Sequence, residues 1–342
     1  MSMVSGYPSV SMISASGDPS LSATGLDDRW FTWEPSAGVA GALARNWRQF
    51  WQMQSKMALS AAAEGVNREL SGLLKRVEQL DLERRLSPRM VARLAALMDA
   101  MTHEDGYGVY DTLQAWVQDK PEQWYSDRCL LESVATQDWE APLLREIRNT
   151  QVAGVAGLEV FPLLEEDLSP YQEALIQALD LIRQVDEAMH AEIQTHVGIV
   201  KLFDGRGIEG LSTPKAFGAI WLKAPGHEHA LAWFLEHLVH ECSHLHLNAM
   251  MAFDPLLKNP NEINRSPIRP DPRPMFQVLH ATFVLSRNKR VHARLHAQFP
   301  ELQLGSALEE FNTQFESGLS VLKEFMKPTR YGQTLLDSLS SI

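Results

Sequence analysis

Residues 226–251 read GHEHALAWFLEHLVHECSHLHLNAMM. Apolar side chains return every three or four positions through this stretch, which predicts one long helix. His240 and His244 stand four residues apart in it, with Glu241 beside the first of them. At about 3.6 residues per turn, positions four apart share a face, so two imidazoles can converge on one metal ion. Glu241 can then serve as a base toward metal-bound water or as an anchor for the ligands. The five-letter pattern alone fixes only three positions, and a pair of core histidines is the plain alternative. Its context adds weight. A strand-like stretch, Ala216 to Leu222, precedes the helix, and strand-then-helix is the zincin order. His237 lies three residues before His240 and can share its face, whereas His246 should point elsewhere. Both read as surface or supporting residues rather than ligands.

A third ligand is needed. Leu247 and Met250 occupy the positions where the longer zincin pattern requires Gly and His. The next helix, about Met275 to Phe299, contains no Asp or Glu but carries His280 on its apolar stripe, beside Leu279 and Phe283. A buried imidazole needs a polar partner, and a metal would supply one. A hydrogen-bonded core histidine is the alternative there too, and Glu262 is the fallback carboxylate. Residues 253–274 hold six prolines and exclude regular helix or central strand. Within them Arg269 and Arg273 stand on a stiff strip, Ser266 to Pro274. A guanidinium held that way suits a carboxylate in bidentate fashion, and a solvated linker is the bland alternative.

The bulk of the chain narrows the classes. It has 342 residues, 31 basic and 43 acidic, for a formal charge of −12. That balance argues against a nucleic-acid binder, which needs a basic face. The two cysteines, Cys129 and Cys242, form no CxxC pair, so a disulfide framework is not expected and a reducing cytoplasm fits. No basic residue precedes Arg29, and the longest apolar run, Val152 to Leu164, is interrupted by Glu159. Neither a signal peptide nor a membrane span is expected.

The organisation reads as a disordered tail over 1–28, a helical N-terminal region over 29–150 and a metal-binding catalytic region over 151–342. Helix starts are signalled at Ser87-Pro88 and Ser169-Pro170, the second helix running to about His190. Strands are expected over His196 to Phe203 and Ala216 to Leu222, and further helices over Met275 to Phe299 and Ala307 to Met326. The fold class is mainly α with a small β-sheet (α+β), the strand leading into the metal-bearing helix as in zincins.

Taken together, His240 to His244, Ser266 to Pro274 and Leu279-His280 resemble the HExxH-motif peptide-modification proteins of natural-product clusters. These are 2-oxoglutarate-dependent β-hydroxylases of ribosomally made peptides. The likeness covers roughly residues 195–300. It implies Fe(II) on His240, His244 and His280, and 2-oxoglutarate as co-substrate with a carboxylate on Arg269 or Arg273. It also implies hydroxylation by dioxygen at a side-chain β-carbon of a peptide or amino-acid substrate. Oxygenases of this chemistry commonly use two His and one carboxylate, so a third His departs from that pattern and leaves the role of Glu241 open. Two other readings stand beside it. One is a zinc metallopeptidase with Glu241 as general base. The other is a non-enzymatic helical binding protein with a structural metal or core histidines.

Overall fold

The computed structural model describes residues 26–62, 68–135, 138–149 and 159–342. The tail expected over 1–28 therefore lies outside the described residues except for its last three. Two of those are tied to the last helix: the Tyr331 hydroxyl donates to the Leu26 carbonyl and Arg330 pairs with Asp28.

In chain order the helices are α1 (Ala37–Ala62), α2 (Arg68–Glu78), α3 (Pro88–Thr102), α4 (Gly106–Gln118) and α5 (Glu140–Asn149). Next come α6 (Ser169–Val185), α7 (Glu187–His196), α8 (Ala230–Met251), α9 (Met275–Gln298), α10 (Gly305–Phe325) and α11 (Arg330–Leu339). The strands are β1 (Leu130–Ser133), β2 (Glu159–Pro162), β3 (Ile199–Arg206), β4 (Gly210–Ser212) and β5 (Ala219–Lys223). Two short ones, β6 (Ile263–Asn264) and β7 (Arg273–Pro274), pair with each other. The protein is mainly helical with a small mixed sheet. Among the described residues, no helix is long and apolar enough to cross a membrane.

The sheet runs β1-β3-β5-β4, with β1 and β5 parallel to β3 and β4 antiparallel to β5; β2 pairs with the second half of β3. Strand β3 is central, and its first five residues are buried; four are apolar and the other, Lys201, pairs with Glu132 and Glu140. Successive side chains enter different cores, as a period of two requires. Val200 and Leu202 face the large helical core, whereas Ile199 and Phe203 join Trp139, Trp221 and Leu144 on the other side. Because β1 sits in the same sheet and α1 packs on α7, both sheet and core run across the boundary expected near residue 150.

The single helix expected from Ser169 to about His190 is two helices. The chain breaks at Asp186, whose carboxylate caps α7 by accepting from the Met189 N–H. Asp186 also meets Arg290 and Arg294 of α9, so the break is fixed by tertiary ion pairs. Helix α8 is covered by α6, α7 and α9 and touches the edge strand β4. The segment between α8 and α9 is irregular apart from β6 and β7. Its carbonyls finish the next helix: Glu262 O accepts from Met275 N and Pro260 O from Phe276 N, two donors that the first turn of α9 leaves open.

Candidate metal centre

His240 and His244 lie mid-way along α8, and His280 lies in the second turn of α9. His244 is the middle ring. Its Nε2 is 3.2 Å from His240 Nε2, and its Nδ1 is 3.2 Å from His280 Nδ1. Ring centroids are 4.9 Å apart for the first pair and 5.4 Å for the second. Two nitrogens bound about 2.1 Å from one ion stand about 3.0–3.4 Å apart at right-angled to tetrahedral geometry. The Nε2 edge shared by His240 and His244 meets that requirement. His280 adjoins through the Nδ1 side of His244.

Burial keeps these imidazoles neutral. It pulls His240 and His280 down to about 4, and it holds His244 well below the usual range, helped by both neighbours. A neutral imidazole is the form that ligates. No formal charge resides on the three rings, so a dication would meet three lone-pair donors and no competing cation among them. The His240–His244 edge fits a divalent first-row metal, and His280 would have to leave the Nδ1 side of His244 to join the same ion.

Glu241 is buried on the sheet side of α8. The Ser212 hydroxyl on β4 donates to its Oε2 at 2.7 Å. The close approach depends on Gly210, where a Cβ would stand 2.7 Å from Glu241 Oε1. Burial pushes the Glu241 carboxyl up to about 7, with the Ser212 bond working against it.

Arg269 and Arg273 stand at the same end of α9 as His280. Arg273 opens β7, two residues before the helix starts, and its Nη2 meets Asp271 at 2.5 Å. Arg273 Nε and Arg269 Nη2 are both buried with no hydrogen-bond partner, as is Nδ2 of Asn248, one turn beyond His244. Arg269 is held below its usual pKa by burial first and then by Arg273. All three unpartnered groups are donors, and two belong to cations that repel each other. An acceptor-only anion such as a carboxylate is the chemistry that satisfies the guanidinium donors, and Asp271 already supplies one to Arg273 Nη2. The fallback ligand Glu262 does not join; it accepts from Lys327 Nζ and Asn259 Nδ2 near the surface.

Of the surface or supporting places read from sequence for His237 and His246, the surface one is ruled out; both are almost wholly buried. His246 does point away from His244. Its Nδ1 is 2.6 Å from Glu192 Oε1 and 3.0 Å from His196 Nε2, and Arg287 grips both Glu192 oxygens at 2.8 and 3.2 Å. The ligand atoms of Glu192, His196 and His246 all lie within 4.8 Å, so this second cluster could bind a metal. Its charge is already closed, however. Burial works to raise the Glu192 pKa, but Arg287 and then His246 outweigh it and hold the carboxyl at about 2. A dication there would add uncompensated charge to a fully buried place. The sequence hid this network because its members lie 50 and 95 residues apart.

No family model matches the chain, and no curated protein matches it. The site's chemistry carries the functional reading by itself.

Proposed function

We propose that the protein is a metal-dependent oxygenase. Fe(II) would be held by His240, His244 and His280, with 2-oxoglutarate as co-substrate and hydroxylation of a side-chain β-carbon in a peptide or amino-acid substrate as the reaction. The observation that carries this reading is the pairing of a neutral imidazole trio with two guanidinium groups, each keeping a buried unpartnered N–H, on the strip that leads into the helix bearing His280. From the start of α9 to His280 is five residues, about 8 Å of helix axis. That is the scale of a five-carbon dicarboxylate with one end at the metal. Arg269 and Arg273 would fix the distal carboxylate, and Asn248 would donate to the same ligand. Iron at the trio supplies the activation of dioxygen. The order of β5 and then α8, with β4 beside Glu241, supports a zincin-like arrangement. Glu241, bonded to Ser212, would act as an anchor behind the ligands.

A second reading has its own support. A carboxyl pushed up to about 7 next to two metal-ligating histidines has the proton affinity a general base uses near neutral pH. With zinc in place of iron, that is a metallopeptidase. One experiment separates the two. The protein is loaded with Fe(II) without oxygen and 2-oxoglutarate is added. The oxygenase reading expects a visible absorption band from the metal–keto acid complex, then succinate after air is admitted. Arg269→Ala or Arg273→Ala should weaken the band. No band and no succinate, with zinc-dependent hydrolysis of peptides, would establish the alternative.

A further inference from the structure

His237 is buried one turn before His240 on the same face of α8, and the trio leaves it unused. Positions 237, 240 and 244 follow the three-then-four spacing that stacks side chains along one stripe of a helix. The His237 and His240 rings lie 6.2 Å apart and nearly parallel, 25° between planes. Trp233, a further turn back, stacks on His237 at 3.7 Å and 19°. The Trp233 carbonyl also receives its Nδ1 at 3.0 Å.

A carbonyl only accepts, so the proton of neutral His237 sits on Nδ1 and Nε2 carries a bare lone pair. Burial first, and then His240, pull the pKa of the ring down to about 3, which keeps it neutral. That Nε2 is buried and has no hydrogen-bond partner. A buried acceptor left unmade costs about 1–3 kcal/mol, so a fixed, bare nitrogen beside the centre implies a donor that belongs there. A hydrogen bond from one ring nitrogen to a backbone carbonyl fixes both the tautomer and the orientation of the imidazole.

We propose that His237 is a positioning residue of the centre, its Nε2 accepting a hydrogen bond from the molecule that completes the ligand shell of the ion on His240, water when no substrate is present. This rests on the metal reading above. The fixed tautomer sets its preference: it takes a ligand that presents O–H or N–H on that side and refuses a bare carboxylate, which has only lone pairs to offer. The two sides of the centre therefore differ. Donors stand toward Arg269 and Arg273, and an acceptor stands toward Trp233.

The test uses the full-length protein and Co(II) alone, followed by calorimetric titration and the visible spectrum of the bound ion. In His237→Gln the side-chain amide reaches the place of Nε2. In His237→Asn it reaches only the place of Nδ1. Loss of a contact of this kind costs about 10- to 100-fold in metal affinity. The expected result is such a loss in His237→Asn, with affinity and spectrum restored toward wild type in His237→Gln. Wild-type affinity in His237→Asn, or equal loss in both variants, would overturn the proposal. His240→Ala separates the two levels: if it still binds Co(II) like wild type, the metal centre itself is wrong.

Discussion

Helix α8 carries two histidine clusters on different faces, and they solve burial in opposite ways. On one face His246 joins Glu192, His196 and Arg287, where a carboxylate and a guanidinium cancel and the imidazole bonds into the pair. On the other, His240, His244 and His280 meet with no carboxylate among them; Glu241 turns to Ser212 instead. Both clusters bring nitrogen atoms to within about 3 Å of each other. Proximity alone therefore does not tell a metal centre from a structural lock. Charge closure does: in the first cluster a carboxylate and a guanidinium already cancel, although His196 Nδ1 is left without a hydrogen-bond partner, whereas the second carries no charge that would oppose or cancel a cation.

The largest effect that this contrast predicts is on stability. Arg287→Ala would leave the Glu192 charge without its countercharge in a fully buried place, held only by His246, and breaking such a pair costs about 3–5 kcal/mol. Chemical denaturation of the metal-free protein would measure it. His280→Ala should cost clearly less, because no buried charge is orphaned. Equal losses would mean that the two clusters do the same job.

Acid should act on both clusters in the same direction. His196 is held at about 3, and His240 and His280 at about 4, against an ordinary 6.5. Between about 4 and 6.5 the unfolded chain binds protons that the folded one refuses, so stability rises with pH across that window. Glu192, held at about 2 against 4.5, adds stability that is present above 4.5 and is lost as pH falls toward 2. The denaturation midpoint of metal-free protein should therefore climb from pH 4 to 6.5, less steeply in His280→Leu. A slope unchanged by that substitution would remove His280 from the set of buried neutral rings.

How much of this was legible follows from sequence distance. The α8 histidines and His280 could be read because helical spacing and an acid-free α9 are local signals. The two arginines could be read because prolines mark the strip. The Glu192 network could not, since α7 supplies Glu192 and His196, α8 supplies His246 and α9 supplies Arg287, and nothing near His246 announces a carboxylate 54 positions upstream. The break at Asp186 was hidden for a similar reason: its neighbours are good helix formers, and the residues that hold the turn, Arg290 and Arg294, lie about a hundred positions later. Strands β1 and β4 have four and three residues, too few for a period of two to stand out, and their pairing partners define them.

The smallest effect concerns the seam between α8 and the sheet. Ser212→Ala removes the side-chain donor to Glu241 found among the described residues and should cost about 1 kcal/mol. It should also move the Glu241 carboxyl further above 7, because that bond is what restrains it. A thermal melt and a pH titration of the variant would check both.

The central claim is tested most directly by counting bound ions. Wild-type protein, His244→Ala and His246→Ala would each be loaded with Fe(II) under nitrogen, passed over a desalting column and analysed for metal. The account predicts one ion per chain in wild type and in His246→Ala, and none in His244→Ala. An ion that survives in His244→Ala and disappears in His246→Ala would place the metal on Glu192, His196 and His246 and contradict it.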